Sequence, residues 1–234
     1  MSNNYFQFRH FAVCQSRCAM KVGTDGTLLG AWAAMRDAHC ILDIGTGTGL
    51  IALMMAQRFP QAEITAIDID PEAVAQARDN VTASPFRNIT VLEADVRSFE
   101  PDTTHSFDVI VCNPPYFVNS LQCPDDRRTM ARHTASLSYR ELMEAVQRLL
   151  TDDGEFSLVI PFDCLSQLES EAALAGFFLS RRCAVKTTPR KPPRRYLLAF
   201  RKHPCQPELT EGIIETSPGI RSPWYQQLTR EFYL

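Results

Sequence analysis

The sequence predicts a doubly wound α/β fold, with a mostly parallel seven-stranded sheet that ends in a C-terminal antiparallel hairpin. Apolar runs typical of buried strands alternate with helical patterns from residue 40 to about residue 175. The first run ends in a glycine-rich loop, residues 43–49, that leads directly into an apolar helical pattern. Two strand-like segments then follow each other near the C-terminus with no helical pattern between them, as in a hairpin.

Each element follows from its local pattern. Residues 5–22 alternate well enough for two short strands, or for a strand and a cover loop. Residues 28–35 place their apolar positions on one helical face. The strands expected in the sheet are the run from residue 40 up to the acid at residue 43, and residues 63–67, 89–92, 107–112, 156–160, 177–186 and 196–202. The later helices are expected from Leu50, from Pro71 to about residue 83, and over residues 142–150 and 165–175.

The chain is expected to form one domain. Residues 1–36 would form a lid and a helix of that domain, and residues 37–204 its core. Residues 205–234 would be a tail packed on the core, docked by Trp224 and Tyr225.

The loop at residues 43–49 reads Asp-Ile-Gly-Thr-Gly-Thr-Gly. Its glycines permit a sharp turn and close approach of a ligand to the backbone. The G-x-G-x-G spacing differs from the G-x-G-x-x-G of dinucleotide folds, and the acid before it would repel a pyrophosphate. That carboxylate would instead pair with a cationic amine, such as that of S-adenosylmethionine. The alternative is a glycine turn that binds no ligand. The residues of this loop assigned to a cofactor are Asp43, Gly45, Thr46, Gly47 and Gly49.

Two further acids follow the next two strands. Asp68 comes nineteen residues after Gly49, where α/β folds place an acid that accepts ribose hydroxyls. Asp70 and Pro71 have a different role, since this pair is typical of a helix N-cap and first turn. Asp95 follows the third strand and would accept the amine of an adenine. Acids at three strand ends thus outline a nucleoside-like ligand, although each could instead be a solvated loop acid.

The fourth strand runs directly into Asn113-Pro114-Pro115-Tyr116. Because proline donates no backbone hydrogen bond, the Asn113 amide oxygen and the Pro114 carbonyl are left as fixed acceptors. Two such acceptors would hold the hydrogens of a planar amino group, while Tyr116 stacks on its ring. A proline turn leaving the sheet is the alternative, but it does not account for the flanking asparagine and tyrosine. These four residues are assigned to catalysis, and Asn113 also to the cofactor site.

The turn before the first helix contains Thr24 and Asp25. Either would serve as an N-cap, and we weigh that role equally against contact with the cofactor. Lys21, Ile69 and Val96 complete the residues assigned to the cofactor.

The net charge is −3, yet basic residues are concentrated in two places. Residues 181–202 hold nine cations and no acid, which favours RNA phosphates over a merely solvated hairpin edge. Residues 117–138 are basic with few apolar positions, as in a loop over a site. His133 in that loop is a candidate base, although a lone loop histidine usually is not one. The residues assigned to RNA are Arg127, Arg128, Arg132, Lys186, Arg190, Lys191, Arg194 and Arg195.

The composition is that of an ordinary globular protein, with 22% charged and 45% hydrophobic residues. Its eight cysteines include no C-x-x-C pair, so we expect reduced thiols. The chain has no apolar stretch long enough to span a bilayer and no signal-peptide pattern at its start. We therefore expect a cytoplasmic protein. No cluster of histidines and cysteines marks a metal site, so we expect no metal. We also expect a monomer, although no sequence pattern specifies the oligomeric state.

Together, the glycine loop and the Asn-Pro-Pro-Tyr segment resemble the Rossmann-like methyltransferases that use S-adenosylmethionine to modify planar amino nitrogens. More closely, residues 20–32, the loop after Tyr116 and the basic hairpin resemble the bacterial tRNA1(Val) adenine-37 N6-methyltransferases. The resemblance covers residues 20–200. It implies methyl transfer to N6 of an adenine in tRNA, with S-adenosylhomocysteine as the other product.

Two alternatives stay open at the level of sequence. Glutamine side chains carry an equally planar nitrogen, so an N5-glutamine methyltransferase acting on a release factor is the second candidate. Such proteins typically have a helical domain before the glycine loop, whereas 42 residues precede Asp43 here. A non-catalytic RNA-binding module is the third candidate, although it would usually have lost Asp43 or Asn113.

Overall fold

A computed structural model describes residues 4–18, 21–34, 38–101, 106–114 and 137–234. The strands are β1 Tyr5–Gln7, β2 Ala12–Cys14, β3 Cys40–Ile44, β4 Glu63–Asp68, β5 Ile89–Glu93, β6 Phe107–Cys112, β7 Leu150–Pro161, β8 Phe178–Lys186, β9 Pro193–Arg201, β10 Glu208–Ile213, β11 Glu215–Ser217 and β12 Ile220–Arg221. The helices are α1 Thr24–Trp32, α2 Leu50–Arg58, α3 Pro71–Ala83, α4 Tyr139–Leu149, α5 Leu165–Leu174 and α6 Pro223–Thr229, with a 3₁₀ turn at Phe162–Cys164.

The central sheet has the strand order β10-β8-β9-β7-β6-β3-β4-β5. Strands β7, β6, β3, β4 and β5 are parallel, and β9 runs antiparallel to both of its neighbours. One face of the sheet is covered by α1, α2, α3 and α6, and the other by α4 and α5. The doubly wound fold and its antiparallel pair β8–β9 are therefore as predicted.

The sheet has eight strands where the sequence predicted seven. The additional strand, β10, comes from the expected tail and pairs in parallel with β8 at the edge of the sheet. Its residues 208–211 are all exposed, so no apolar alternation marks it in the sequence. Trp224 lies so close over Gly212 that a Cβ there would be 2.3 Å from the indole. Tyr225, the next residue, is buried in the core, and Trp224 packs against the same cluster.

Several predicted boundaries shift by a few residues. Helix α4 starts earlier, because Ser138 and Glu141 form a capping box at its N-terminus. Strand β7 begins at Leu150, directly where that helix ends. Strand β9 begins at Pro193, so the hairpin tip is residues 187–192 and is shorter than the predicted tip, 187–195.

Of the two arrangements open for residues 5–22, the structure has two short strands, and β1 and β2 pair antiparallel. Buried Asn80 of α3 holds this pair by exchanging two hydrogen bonds with the backbone of Cys14, at 2.9 and 2.8 Å. The Asn80 amide also donates to the Thr48 carbonyl in the glycine loop, at 2.8 Å. One side chain of α3 therefore ties the N-terminal segment to that loop.

Seven cysteines lie in the described part of the chain, and all of them are free thiols there.

Among the helices that the structure describes, none is both long and apolar enough to cross a membrane.

Candidate active site

The candidate site lies where the strand order reverses. The chain passes from β3 outward to β4 and β5, then returns to β6 on the other side of β3. Ile44, at the end of β3, is level with Ile67 of β4 and with Cys112 of β6. The segments that follow these three strands therefore meet at one edge of the sheet, where open α/β folds bind ligands.

Positive backbone φ angles shape the glycine loop. Gly45, Gly47 and Gly49 have φ of 68°, 56° and 81°, a region that other residues rarely adopt. A Cβ added to Gly45 or Gly47 would meet nothing within 4 Å, because both face the cavity described below. The loop therefore offers bare backbone to a ligand, and α2 starts directly after it at Leu50.

Asp43 lies beneath this loop and is completely buried. Its Oδ2 accepts hydrogen bonds from Thr46 Oγ1 at 2.6 Å and from the Ala52 amide at 3.1 Å. Its Oδ1 has no hydrogen-bond partner among the described residues. Burial raises the pKa of the carboxyl to about 7, against the opposing effect of these two hydrogen bonds. Asp43 thus holds the loop to α2, and its pairing with a cofactor amine stays a prediction.

Asp68 faces the cavity at the end of β4. Its Oδ2 accepts a 2.8 Å hydrogen bond from the Gly47 amide, and its Oδ1 a 3.0 Å bond from the Asp70 amide. Each carboxylate oxygen has two lone pairs, so both can still accept from a ligand hydroxyl. Asp70 itself caps α3 through the Glu72 amide, as predicted.

Asp95 is fixed by hydrogen bonds from Arg97, two residues further along the chain. Its carboxylate accepts from the Arg97 amide at 3.0 Å and from the Arg97 guanidinium, which lowers its pKa. Arg97 reaches on to Glu141, with 3.5 Å between the charged groups. Arg97 was not among the residues predicted from the sequence, although it follows a strand-end acid by two residues.

A cavity of about 770 Å³ brings the predicted cofactor residues together. Eleven of the thirteen line it, and the other two, Asp43 and Gly49, lie outside its lining. Those that line it are Lys21, Thr24, Asp25, Gly45, Thr46, Gly47, Asp68, Ile69, Asp95, Val96 and Asn113. Lining residues that the sequence analysis missed include Cys18, Ile44, Ala73, Arg97 and Leu137. Ile44 lies inside the glycine-loop motif but is apolar, as are Ala73 and Leu137, so nothing in their chemistry marked them as ligand contacts.

The amino end of α1 forms one wall of the cavity. The helix N-cap is Gly23, and no side chain makes a capping hydrogen bond there. The alternative role of Thr24 or Asp25 as the cap is therefore wrong. Asp25 instead forms an ion pair with Arg195 of β9, with 2.5 Å between Oδ1 and Nη1. This pair joins the basic hairpin to the wall of the cavity.

Cys18 lines the cavity from the segment after β2. Burial, followed by the nearby charges of Asp68 and Asp70, raises the pKa of its thiol to about 11. The thiol therefore stays protonated at neutral pH and acts as part of the cavity wall.

Of the four residues assigned to catalysis, Asn113 and Pro114 fall within the described chain. Asn113 lines the cavity directly after β6, and Pro114 is buried. The other two, Pro115 and Tyr116, lie outside the described residues, and so do Arg127, Arg128, Arg132 and His133.

The basic segment is less uniform than its sequence indicates. Six of its nine cations form ion pairs with acids on other elements. These pairs are Arg181–Glu155, Arg182–Glu169, Lys186–Glu211, Arg195–Asp25, Arg201–Glu155 and Lys202–Asp152. Arg181 is buried and stacks over the Trp32 ring at 4.0 Å, so counting it with a phosphate-binding surface is wrong.

Three cations of the segment remain exposed with no ion pair to another described residue: Arg190, Lys191 and Arg194. They lie at or beside the hairpin tip. Because Arg195 pairs with Pro161 at the carboxyl end of β7, this tip projects from the same edge of the sheet as Asn113.

The cavity suits a small polar ligand, and its lining carries three basic residues, Lys21, Arg97 and Arg195, beside four acids. Its volume is in the range of small-molecule sites. The acids that line it are Asp25, Asp68, Asp70 and Asp95, and the bare loop at Gly45 and Gly47 lets a ligand approach the backbone. No group of three or more histidines, cysteines or acids suited to a metal ion occurs among the described residues.

Known sequences similar to this chain are methyltransferases by name. The family model described as "Methyltransferase small domain" matches residues 18–188. A Bacteroides thetaiotaomicron protein named tRNA1(Val) (adenine(37)-N6)-methyltransferase is 47% identical, over 100% of this chain and 99% of its own. A Histophilus somni protein of the same name is 42% identical, over 98% of this chain and 97% of its own.

Solved structures share the fold at low sequence identity. A predicted O-methyltransferase from Agrobacterium tumefaciens superposes with a TM-score of 0.66 at 20% identity, covering 89% of this chain and 96% of that one. TrmN from Thermus thermophilus gives a TM-score of 0.55 at 24% identity, covering 76% and 48%. With the family match and the full-length relatives, these findings show that the chain belongs to the methyltransferase small-domain family, in the group that includes the proteins named tRNA1(Val) (adenine(37)-N6)-methyltransferase.

Proposed function

We propose that this methyltransferase transfers a methyl group from S-adenosylmethionine to N6 of an adenine in tRNA, at position 37 of a valine tRNA. The observation that carries the proposal is the position of Asn113, which lines the same cavity as the glycine loop, Asp68 and Asp95. Relatives named for this reaction match along the full length of the chain, which supports the choice of substrate.

The residues of the cavity divide into two sets. On the cofactor side, Asp68 would accept the ribose hydroxyls, and Asp95 with the Val96 backbone would face the adenine. Ile69 is 52% exposed at the cavity, and an apolar side chain there would cover the flat face of that adenine. When bound, the cofactor supplies a methyl group on a sulfonium that leaves as a neutral thioether.

On the substrate side, Asn113 Oδ1 and the Pro114 carbonyl would accept the two hydrogens of the target amine. The lone pair of an adenine amine is delocalised into the ring, which makes the nitrogen a poor nucleophile. Two fixed acceptors favour a pyramidal nitrogen and aim its lone pair towards the methyl group. Tyr116 would stack on the base once it has left its loop.

Glutamine methylation, the second candidate, would use the same acceptors. The exposed cations Arg190, Lys191 and Arg194 project from the edge that holds Asn113, and such a cluster suits RNA phosphates. Together with the relatives' names, this favours RNA over a protein substrate.

The proposal is tested by incubating the purified protein with S-adenosylmethionine and unmodified valine tRNA, then digesting the RNA for mass spectrometry of nucleosides. We expect N6-methyladenosine, and none from a tRNA in which adenine 37 is replaced by guanine. A release factor incubated in parallel should show no methylglutamine. Methylglutamine without methyladenosine would establish the second candidate instead.

A further inference from the structure

We propose that Phe162 and Tyr196 form a stacking platform for a nucleobase of the RNA substrate other than the target adenine. The proposal rests on the proposed function, since it names a subsite for the same RNA. It concerns a pair of rings that lies outside the cavity and that the reaction does not use.

The two rings lie on neighbouring elements at the carboxyl edge of the sheet. Phe162 starts the 3₁₀ turn directly after β7, and Tyr196 belongs to β9, which pairs with β7. Their ring centroids are 5.8 Å apart with an interplanar angle of 25°, so the rings are stacked. Tyr196 is half-buried against the core, whereas Phe162 is 47% exposed.

A single exposed phenylalanine is common and needs no explanation. Phe162 differs because it stacks on a second ring, that of Tyr196, while about half of its own surface stays exposed to solvent. Arg182 lies over the Tyr196 ring at 5.9 Å and pairs with Glu169 of α5, which holds Tyr196 in place. The result is a rigid aromatic surface, and bases stack on such surfaces with little regard to their identity.

A cation near the platform suits a phosphate of the RNA. Arg194 is exposed and stands two residues before Tyr196, about 7 Å along the strand. It is the extra residue of a β-bulge between β9 and β8, and bulges commonly re-aim a side chain next to a site. Asp163, directly after Phe162, is also exposed, so we expect the backbone of the RNA to lie towards Arg194 and away from this carboxylate.

The platform is also at a suitable distance from the target site. Cys112 is level with Leu158, so Phe162, in the 3₁₀ turn directly after the neighbouring strand β7, stands about three residues beyond the level of Asn113. At 3.3 Å per residue and 4.8 Å between strands, the separation is about 11 Å. That distance suits a nucleotide that flanks the target in a single-stranded loop, where bases are free to stack on protein.

The test measures RNA affinity for three substitutions of Phe162. Removal of one base stack lowers affinity by about 5- to 150-fold. Phe162→Ala should therefore raise the dissociation constant for valine tRNA by that factor, measured by fluorescence anisotropy of labelled RNA. Phe162→Leu should behave like the alanine variant, because it keeps apolar bulk without a ring, and Phe162→Trp should bind like wild type. Calorimetry should show that the affinity for S-adenosylmethionine is the same in all three.

Phe178→Ala is the matched control. Phe178 is 41% exposed and pairs with Arg201, at the opposite end of the same strands from the platform. Its removal should leave RNA affinity unchanged. Equal RNA affinity of Phe162→Ala and Phe178→Ala, or wild-type affinity of Phe162→Leu, would overturn the platform.

Methylation by the wild-type protein separates the two proposals. If it methylates the tRNA while Phe162→Ala binds RNA normally, only the platform fails. If the wild-type protein neither binds nor methylates the tRNA, the proposed function fails as well.

Discussion

The two sides of the strand-order reversal are built differently. On the side of β3, β4 and β5, each strand-end acid is fixed by a backbone amide of a nearby loop or helix: Asp43 by Ala52, Asp68 by Gly47 and Asp95 by Arg97. On the side of β6 and β9, charged residues depend on partners far along the chain, as Arg195 depends on Asp25. The first side is therefore preorganised by hydrogen bonds from backbone amides, and the second by ion pairs between side chains of different elements.

This difference suits two ligands of different size. A small cofactor fits a cavity whose acids are already positioned, so little ordering of the protein opposes its binding. An RNA contacts a wide surface, and we propose that the exposed cations of the hairpin tip and the exposed ring of Phe162 contribute to its affinity. The following substitutions separate the two sides, because each should change one measured quantity and leave the other unchanged.

Asn113→Ala is expected to have the largest effect. The target amine would lose one of two fixed acceptors, and removal of one preorganised hydrogen-bond partner typically costs about 10²- to 10³-fold in rate. The affinity for S-adenosylmethionine should stay close to wild type, since the proposed bonds go to the substrate. Single-turnover methylation at saturating cofactor measures the rate. A near-normal rate would mean that the segment is a proline turn and that the chemistry takes place elsewhere.

Asp68→Ala should weaken cofactor binding by about 10- to 100-fold. It removes hydrogen bonds to a charged acceptor, which are worth about 1.5–3 kcal/mol, and it also frees the Gly47 amide. Calorimetry measures the dissociation constant, and thermal unfolding without cofactor checks that the protein is folded. Asp68→Asn keeps one acceptor and should lose less affinity. An unchanged dissociation constant for the alanine variant would remove Asp68 from the site.

The sequence was most informative where a function depends on neighbouring residues. The glycine loop, the N-cap at Asp70 and the order of strands could be predicted, because each is encoded by a short pattern of turn and apolar residues. Strand β10 could not, since its residues 208–211 are exposed and its pairing comes from the edge of β8.

The basic segment, residues 181–202, likewise shows that contacts between distant parts of the chain could not be predicted from the sequence. Nine cations in a row of 22 residues indicate a charged surface, but the acids that neutralise six of them lie on other elements. Arg181 even turns inward, where it pairs with Glu155. Only the folded chain tells which cations stay available to a phosphate.

Charge reversal at the hairpin tip should alter RNA binding and nothing on the cofactor side. We expect Arg190→Glu, Lys191→Glu and Arg194→Glu together to lower the slope of log affinity against log salt by about 2 to 3, since each phosphate that the protein neutralises contributes about 0.7–0.9 to that slope. Arg195 is left out of this variant because it lines the cavity. Lys202→Glu, at the far end of β9 from the tip, is the control. A slope equal to that of wild type would count against the tip as the RNA surface.

The smallest effects are expected from alanine substitutions of Arg194 and Arg195, two neighbouring residues of β9. They separate the two sides most sharply, because one should change only RNA binding and the other only cofactor affinity. Arg195→Ala removes the ion pair to Asp25, whose side chains are 19% and 27% exposed, and pairs so near the surface contribute about 0–1 kcal/mol. Cofactor affinity should fall by about two- to fivefold, because α1 loses its link to β9, and the salt dependence of RNA binding should not change. Arg194→Ala should reduce the salt dependence of RNA binding and leave cofactor affinity unchanged, since its side chain is exposed. Calorimetry with cofactor and salt titration of RNA binding, run on both variants, give four measurements. If both variants reduce the salt slope equally, Arg195 belongs to the RNA surface and the division between the two sides lies nearer the cavity than proposed.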